Sequence, residues 1–253
     1  MRDALVFGGA NALDFADVRL GVIRIPEVSL KIEEAQELWD RNCGSGFSFH
    51  HFLASEDAVF FKNLSLKTLS LAVVQLGLYD RFKRIFHRPQ VLVGNVKNDS
   101  AMLVAAGLMS FQELIMASRA CHMVRPLAHL QPVGDLVLNG PILPQYQAYE
   151  RLVVNVASAA SASQDGAAES TLASVDAIRM TSLGDADMSL RKVLERVVDE
   201  RRLERIIHVG PGLIDRAVIA EFEARDLQIV ESIDIDPMLG WFWRDINNVA
   251  TIA

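Results

Sequence analysis

Cysteine is scarce in this chain of 253 residues: Cys43 and Cys121 stand 78 positions apart with no C-x-x-C spacing. That argues against a thiolate zinc site and against a disulfide framework, and it favours a reducing cytoplasm. Basic tracts are also absent, and 25 Lys and Arg against 32 Asp and Glu leave a net charge of −7. Such a chain lacks the electrostatic footprint of a nucleic-acid binder. No apolar run approaches the ~20 residues of a membrane span, and no basic-then-apolar leader precedes the first strand-like run. The expectation is a soluble protein with neither a membrane nor a nucleic acid as partner.

What is present is an ordinary globular composition, 51% hydrophobic and 23% charged. The length suits one large core, or a core with a small insert. The most informative stretch runs from Arg88 to Cys121. Val91-Leu92-Val93 is a strand-type run that stops at Gly94, and polar residues continue to Asp99. Asp99 or Ser100 can cap a helix over Ala101–Ala106, which Gly107 ends, and Ser110 caps another starting at Phe111. Strand, tight polar turn and helix make up a nucleophile elbow, where G-x-S-x-G lifts a serine to the rim of a parallel sheet. Here the five positions are Gly94-Asn95-Val96-Lys97-Asn98, so the frame is there without a nucleophile. A β-branched residue at positive φ is strained, so the turn is predicted to be relaxed at Val96. Any left-handed conformation then falls to Asn98 or Gly94, and Lys97 is a solvated charge.

Elsewhere the pattern alternates strands and helices. Residues 3–7 form a first strand and Gly8-Gly9 its turn. Leu30 to Asp40 and Leu64 to Phe86 are amphipathic helices, the second with one apolar face for a sheet. Asp135–Leu138, Arg151–Val156 and Val175–Met180 are strand-like, and Ala157 to Ser174 is either a mobile loop or a helix. Met188 to Glu200 and Leu213 to Arg225 are helices, the first capped by Ser182 or Asp185. They alternate with strands Ile206–Val209 and Gln228–Ile233. His50-His51 point in different directions on any element, which favours surface or packing roles over a metal. Asp234-x-Asp236 has no third ligand in view and suits an N-cap before Pro237. Cys121-His122 are sequence neighbours on a helix and do not face each other, so Cys121 reads as a buried inert thiol. The aromatic run Trp241, Phe242, Trp243 is the best candidate for a partner surface.

Three of these stretches, in this order, resemble the family of malonyl-CoA:acyl carrier protein transacylases. Ala4 to Gly9 is similar to the family's first strand and its Phe-Pro-Gly-Gln-Gly turn. Gly94 to Phe111 is similar to Gly-His-Ser-x-Gly-Glu, a helix ending in Ala-Gly, and Leu-Ser-Phe-x-x-Ala. Ile207 to Gly212 is similar to Glu-Val-Gly-Pro-Gly. The match covers roughly residues 1–125 and 190–250. It implies an α/β fold: an α/β-hydrolase-like core with a central parallel sheet flanked by helices, over 1–123 and 190–253. Residues 124–189 would form a reduced small, ferredoxin-like subdomain, since only 116 positions separate Gly94 from Gly210.

The resemblance also implies which chemistry is missing. Val96 stands at the family's serine and Ala10 at the glutamine whose amide helps hold the oxyanion. Thr68-Leu69 stand at a Gln-Pro pair. Cys121 stands at the arginine that clamps the malonyl carboxylate, and Arg119, two positions away, would aim elsewhere on a continuous helix. The base histidine has no counterpart: His129 lies in the wrong context, and His208 replaces an acidic residue at a strand end. No metal or cofactor is implied. One reading is therefore a catalytically inactive relative, retained as a binding or scaffold component of fatty-acid or polyketide synthesis with acyl carrier protein or a synthase component as partner. The other is an active acyltransferase or hydrolase with a site rebuilt from Asp99, Cys121, His122 and His208.

Overall fold

The computed structural model describes residues 2–7, 13–85, 89, 91–95, 99–125, 131–133, 136–138, 151–155, 190–210 and 216–231. From β1 (Asp3–Val6) the chain passes through α1 (Ala16–Val22), α2 (Pro26–Asn42), α3 (Phe49–Leu53), α4 (Asp57–Phe60) and α5 (Leu64–Ile85). It then forms β2 (Val91–Asn95) and three short helices, α6 (Ser100–Ala105), α7 (Phe111–Ala117) and α8 (Arg119–Val124). Next come β3 (Gln131–Val133), β4 (Leu136–Leu138) and β5 (Arg151–Asn155). The last described elements are α9 (Leu190–Arg201), β6 (Arg205–His208), α10 (Arg216–Glu223) and β7 (Gln228–Glu231). No described helix is long and apolar enough to cross a membrane.

Five strands form one sheet in the order β5-β2-β1-β6-β7. The four from β2 to β7 are parallel, while β5 lies antiparallel on the outer edge of β2. Parallel strands are covered on both faces, and that is why Ala4-Leu5-Val6, Val91-Leu92-Val93 and Ile206-Ile207 are unbroken apolar runs. Leu5, Leu92 and Ile207 face the larger core with α2 and α5, and Ala4, Val6, Val91, Val93 and Ile206 face a smaller core with Leu194, Val197 and Phe222. Asp3 and Arg205 sit opposite each other across β1 and β6. Their two hydrogen bonds, at 3.0 and 2.6 Å, pair the charges where both are buried.

Helix α5 is buried on nearly every side between Leu69 and Phe82, as befits a helix lodged between a sheet and another helix. Its cover, α2, presents Val28, Ile32, Ala35 and Trp39 on one stripe. Gly77 makes the close approach possible: a Cβ there would lie 2.6 Å from the Cα of Val28. At the other end of the fold Arg19 is fully buried in α1. Its guanidinium donates to the carbonyls of Leu13, Asp14, Leu53 and Ser55 and to the Asp57 carboxylate at 2.6 Å. It also lies 4.2 Å above the Phe60 ring, so one side chain ties α1 to the turn between α3 and α4.

Several expectations change. Helix α2 starts at Pro26, one turn before Leu30, with proline at its first position, where its missing N–H costs nothing. The helix from Phe111 stops at Ala117, because Ser118 is extended (φ −63°, ψ 144°) and caps α8 through the Cys121 amide. Strand β5 joins the large sheet beside β2 rather than pairing with β4, and among the described residues β3 and β4 pair only with each other. The cysteines are bonded to each other: Cys43 and Cys121 form a disulfide with Cα atoms 5.2 Å apart. Distance along the chain says nothing of distance in the fold, and the α7–α8 break turns Cys121 toward the end of α2. The expectations for Ala10, Val96, Lys97, Asn98, His129, 157–174, Val175–Met180, Asp234, Asp236, Trp241, Phe242 and Trp243 fall outside the described residues.

Candidate functional site

In open α/β folds, ligands bind beyond the carboxyl ends of parallel strands. Here β1 and β6 end level, since His208 aligns with Val6, and β2, whose Val93 aligns with Val6, runs two residues further to Asn95. The amide of Phe7 donates to the Val93 carbonyl at 2.8 Å, and the amide of Val209 to the Val6 carbonyl at 2.9 Å. Three motif-bearing stretches of the sequence thus converge on one sheet edge.

The elbow's first glycine has a packing role. A Cβ on Gly94 would sit 2.9 Å from the Met102 sulfur and 3.3 Å from both Cβ and Oδ2 of Asp99. Helix α6 is therefore pressed onto the strand end, and only a glycine leaves room. Gly94 and Asn95 still belong to β2, and Gly94 is not left-handed, while Asn98, the other position expected to take that conformation, lies outside the described residues. Gly107 is left-handed as expected after α6 (φ 74°), and the Leu108 amide donates back to Leu103 at 2.9 Å. Ser110 and Glu113 form a capping box, each side chain bonding the other's amide, at 3.1 and 2.7 Å. Its backbone and side-chain hydrogen bonds to Ser110 hold the Glu113 carboxyl below its ordinary pKa.

Asp99 is buried in the N-cap position of α6, although its carboxylate makes no cap hydrogen bond. It stands over Gly94, which shares a face with Leu92, Phe7 and Val209. His208 is also buried, but strand alternation puts it in the row of Val93 and Val6, facing the smaller core. The sheet thus separates this imidazole from this carboxylate. A proton-relay pair needs contact at about 3 Å, so the two form no dyad.

Cys121 carries no thiol, because the disulfide consumes it. His122 is half-buried on α8, and exposed Arg119 opens that helix rather than continuing α7. The Thr68 hydroxyl donates to the Leu64 carbonyl at 3.0 Å within its own helix, and Leu69 is buried in the core. His50 and His51 are both exposed on α3. Among the described residues no group of three His, Cys, Asp or Glu is placed to hold a metal. Sequence reasoning missed the disulfide and the Arg19 hub, neither of which has a local signature.

No protein-family model matches the chain, and no curated protein sequence matches it. Solved structures share its fold, two of them transacylases. One is a malonyl-CoA:ACP transacylase from Synechocystis, with a TM-score of 0.54 and 12% identity over 94% of this chain and 99% of that one. The other is a malonyl CoA-acyl carrier protein transacylase from Clostridium perfringens, with a TM-score of 0.55 and 9% identity over 99% of this chain and 100% of that one.

Proposed function

We propose that this chain is an acyltransferase-fold protein without transacylase chemistry. It serves as a binding or scaffold component of fatty-acid or polyketide synthesis, with an acyl carrier protein or a synthase component as its partner. The observation that carries this reading is the lack, at the five elbow positions, of an oxygen or sulfur nucleophile on which an acyl ester or thioester could be held. Gly94-Asn95-Val96-Lys97-Asn98 has neither hydroxyl nor thiol. The disulfide takes up Cys121 and Cys43, the chain's two cysteines. An acyl-enzyme needs a nucleophile activated by a base.

The carboxylate clamp is missing on the same reading. Position 121 corresponds to the family's arginine and holds a buried half-cystine. A malonyl carboxylate brought there without a cation would carry a large desolvation penalty. The rebuilt-site alternative loses Cys121, and its Asp99 and His208 lie on opposite faces of the sheet. Within this reading, 1–123 and 190–253 form the large hydrolase-like core, and 124–189 a small subdomain of which the β3–β4 hairpin is part.

The test mixes the chain with malonyl-CoA and a phosphopantetheinylated acyl carrier protein. Carrier protein should bind, by calorimetry or crosslinking, while its malonylation runs no faster than in the chain's absence. Catalysed malonylation would overturn the inactive assignment, and a lack of binding would overturn the carrier-protein assignment.

A further inference from the structure

We propose that the Cys43–Cys121 disulfide is a reversible redox latch that holds α8, and the β3–β4 hairpin beyond it, against the end of α2. The inference is independent of the acyltransferase reading, because it rests on the junction alone. Cys43 is the residue that ends α2, and Cys121 lies in the first turn of α8. Both half-cystines are buried, at 5% exposure each.

Among the described residues, what else ties α8 to the end of α2 is slight, although α8 also packs against α5 and α7. Of α8's six residues only Ala120 and Cys121 are buried, and both are small. Met123, Val124 and Arg125 at its far end are exposed. Beyond the disulfide, the ties to the end of α2 among the described residues are a hydrogen bond from the Arg125 guanidinium to the Asn42 carbonyl at 3.0 Å and a methyl of Val124 beside Gly44. Strand β4 in turn lies against α7 and α8. A bond between two core strands would be reached only by global unfolding. This one is reached when a six-residue helix lifts off α5 and α7, while β1, β2, β6 and α2 keep their own packing.

The chemistry needs a reductant of the thiol class, such as glutathione or a protein dithiol. Its thiolate attacks one cysteine sulfur, forms a mixed disulfide and releases the other cysteine as a thiolate, which takes up a proton. A second reductant thiolate then attacks the mixed disulfide at the reductant's sulfur. The protein gains two electrons and two protons as two thiols, and the reductant leaves as its own disulfide. The reverse sequence, driven by that disulfide, closes the latch.

The experiment equilibrates the native protein, without denaturant, in glutathione buffers of graded ratio. It counts thiols by alkylation and intact mass, and it follows amide exchange. No thiols are expected in the oxidised form and two in the reduced form. Amides in 119–125 and 131–138 should then exchange about tenfold faster or more, with β1, β2 and β6 unchanged. Arg125→Ala, which removes the neighbouring tie, should speed reduction severalfold. Cys43→Ala should reproduce the exchange pattern of the reduced form. Reduction that occurs only at denaturant concentrations unfolding the sheet would make the bond a static staple and overturn the proposal. So would unchanged exchange after reduction, or two free thiols under oxidising conditions.

Discussion

The contact between α2 and α5 is close enough to be tested with a single methyl group. In Gly77→Ala the new Cβ meets the Val28 Cα at 2.6 Å, the Val28 Cγ2 at 3.0 Å and the Glu27 carbonyl oxygen at 3.1 Å. Ordinary contact begins near 3.4 Å, so the nearest approach is about 0.8 Å too short. Two of the three obstacles are helix backbone and cannot rotate away. Intrinsic propensity works in the other direction, since alanine is better than glycine in a helix by about 1 kcal/mol. Overpacking a close-packed interface costs about 1–3 kcal/mol, and a backbone obstacle belongs at the upper end of that range. The net expectation is a loss of about 1–2 kcal/mol in urea unfolding. Gly21→Ala is the matched control, because nothing lies within 4 Å of its Cβ position in α1. It should gain up to about 1 kcal/mol. If Gly77→Ala gained as much as Gly21→Ala, the close approach would be refuted.

Three other predictions concern charge. Arg19→Lys replaces a fork that serves four carbonyls and a carboxylate with a single ammonium, and should cost about 3 kcal/mol or more. Arg84→Ala, which removes the exposed arginine from its pair with a largely covered Glu27, should cost about 1 kcal/mol by the same unfolding assay. Glu113 has a folded pKa below its ordinary value of 4.5, so its stabilising effect is full above that pH and is lost as pH falls through the folded value. Glu113→Gln should therefore flatten the loss of stability below about pH 4.5, and an unchanged acid limb would refute the assigned role.

The legible parts of the fold were those written in local chemistry. Ser110 before an apolar run announces an N-cap, and the structure has it there, completed to a capping box by Glu113. Gly107 marks the end of α6, and the unbroken apolar runs of β1, β2 and β6 mark buried parallel strands. What stayed hidden depends on partners distant in sequence. Nothing around Arg151–Asn155 says that it pairs with β2, and nothing around Arg19 announces the carbonyls of Leu53 and Ser55. Ser118 breaks the α7–α8 segment without a glycine or proline, so the swing of Cys121 toward Cys43 had no signal beyond an even number of cysteines. At the site, the sequence placed three motifs in order, and the register brings β1, β2 and β6 to one edge. The glycine at 94 was legible as a glycine but not for its reason, which is the pressure of Met102 and Asp99.

The central claim is that this elbow has no hydroxyl or thiol to form an acyl-enzyme, and intact mass tests it most directly. The oxidised chain is incubated with malonyl-CoA, and separately with acetyl-CoA, then weighed. The expected spectrum matches that of the untreated protein in both cases. A stable mass increase equal to one acyl group, mapped to a residue at the β2–α6 turn, would contradict it.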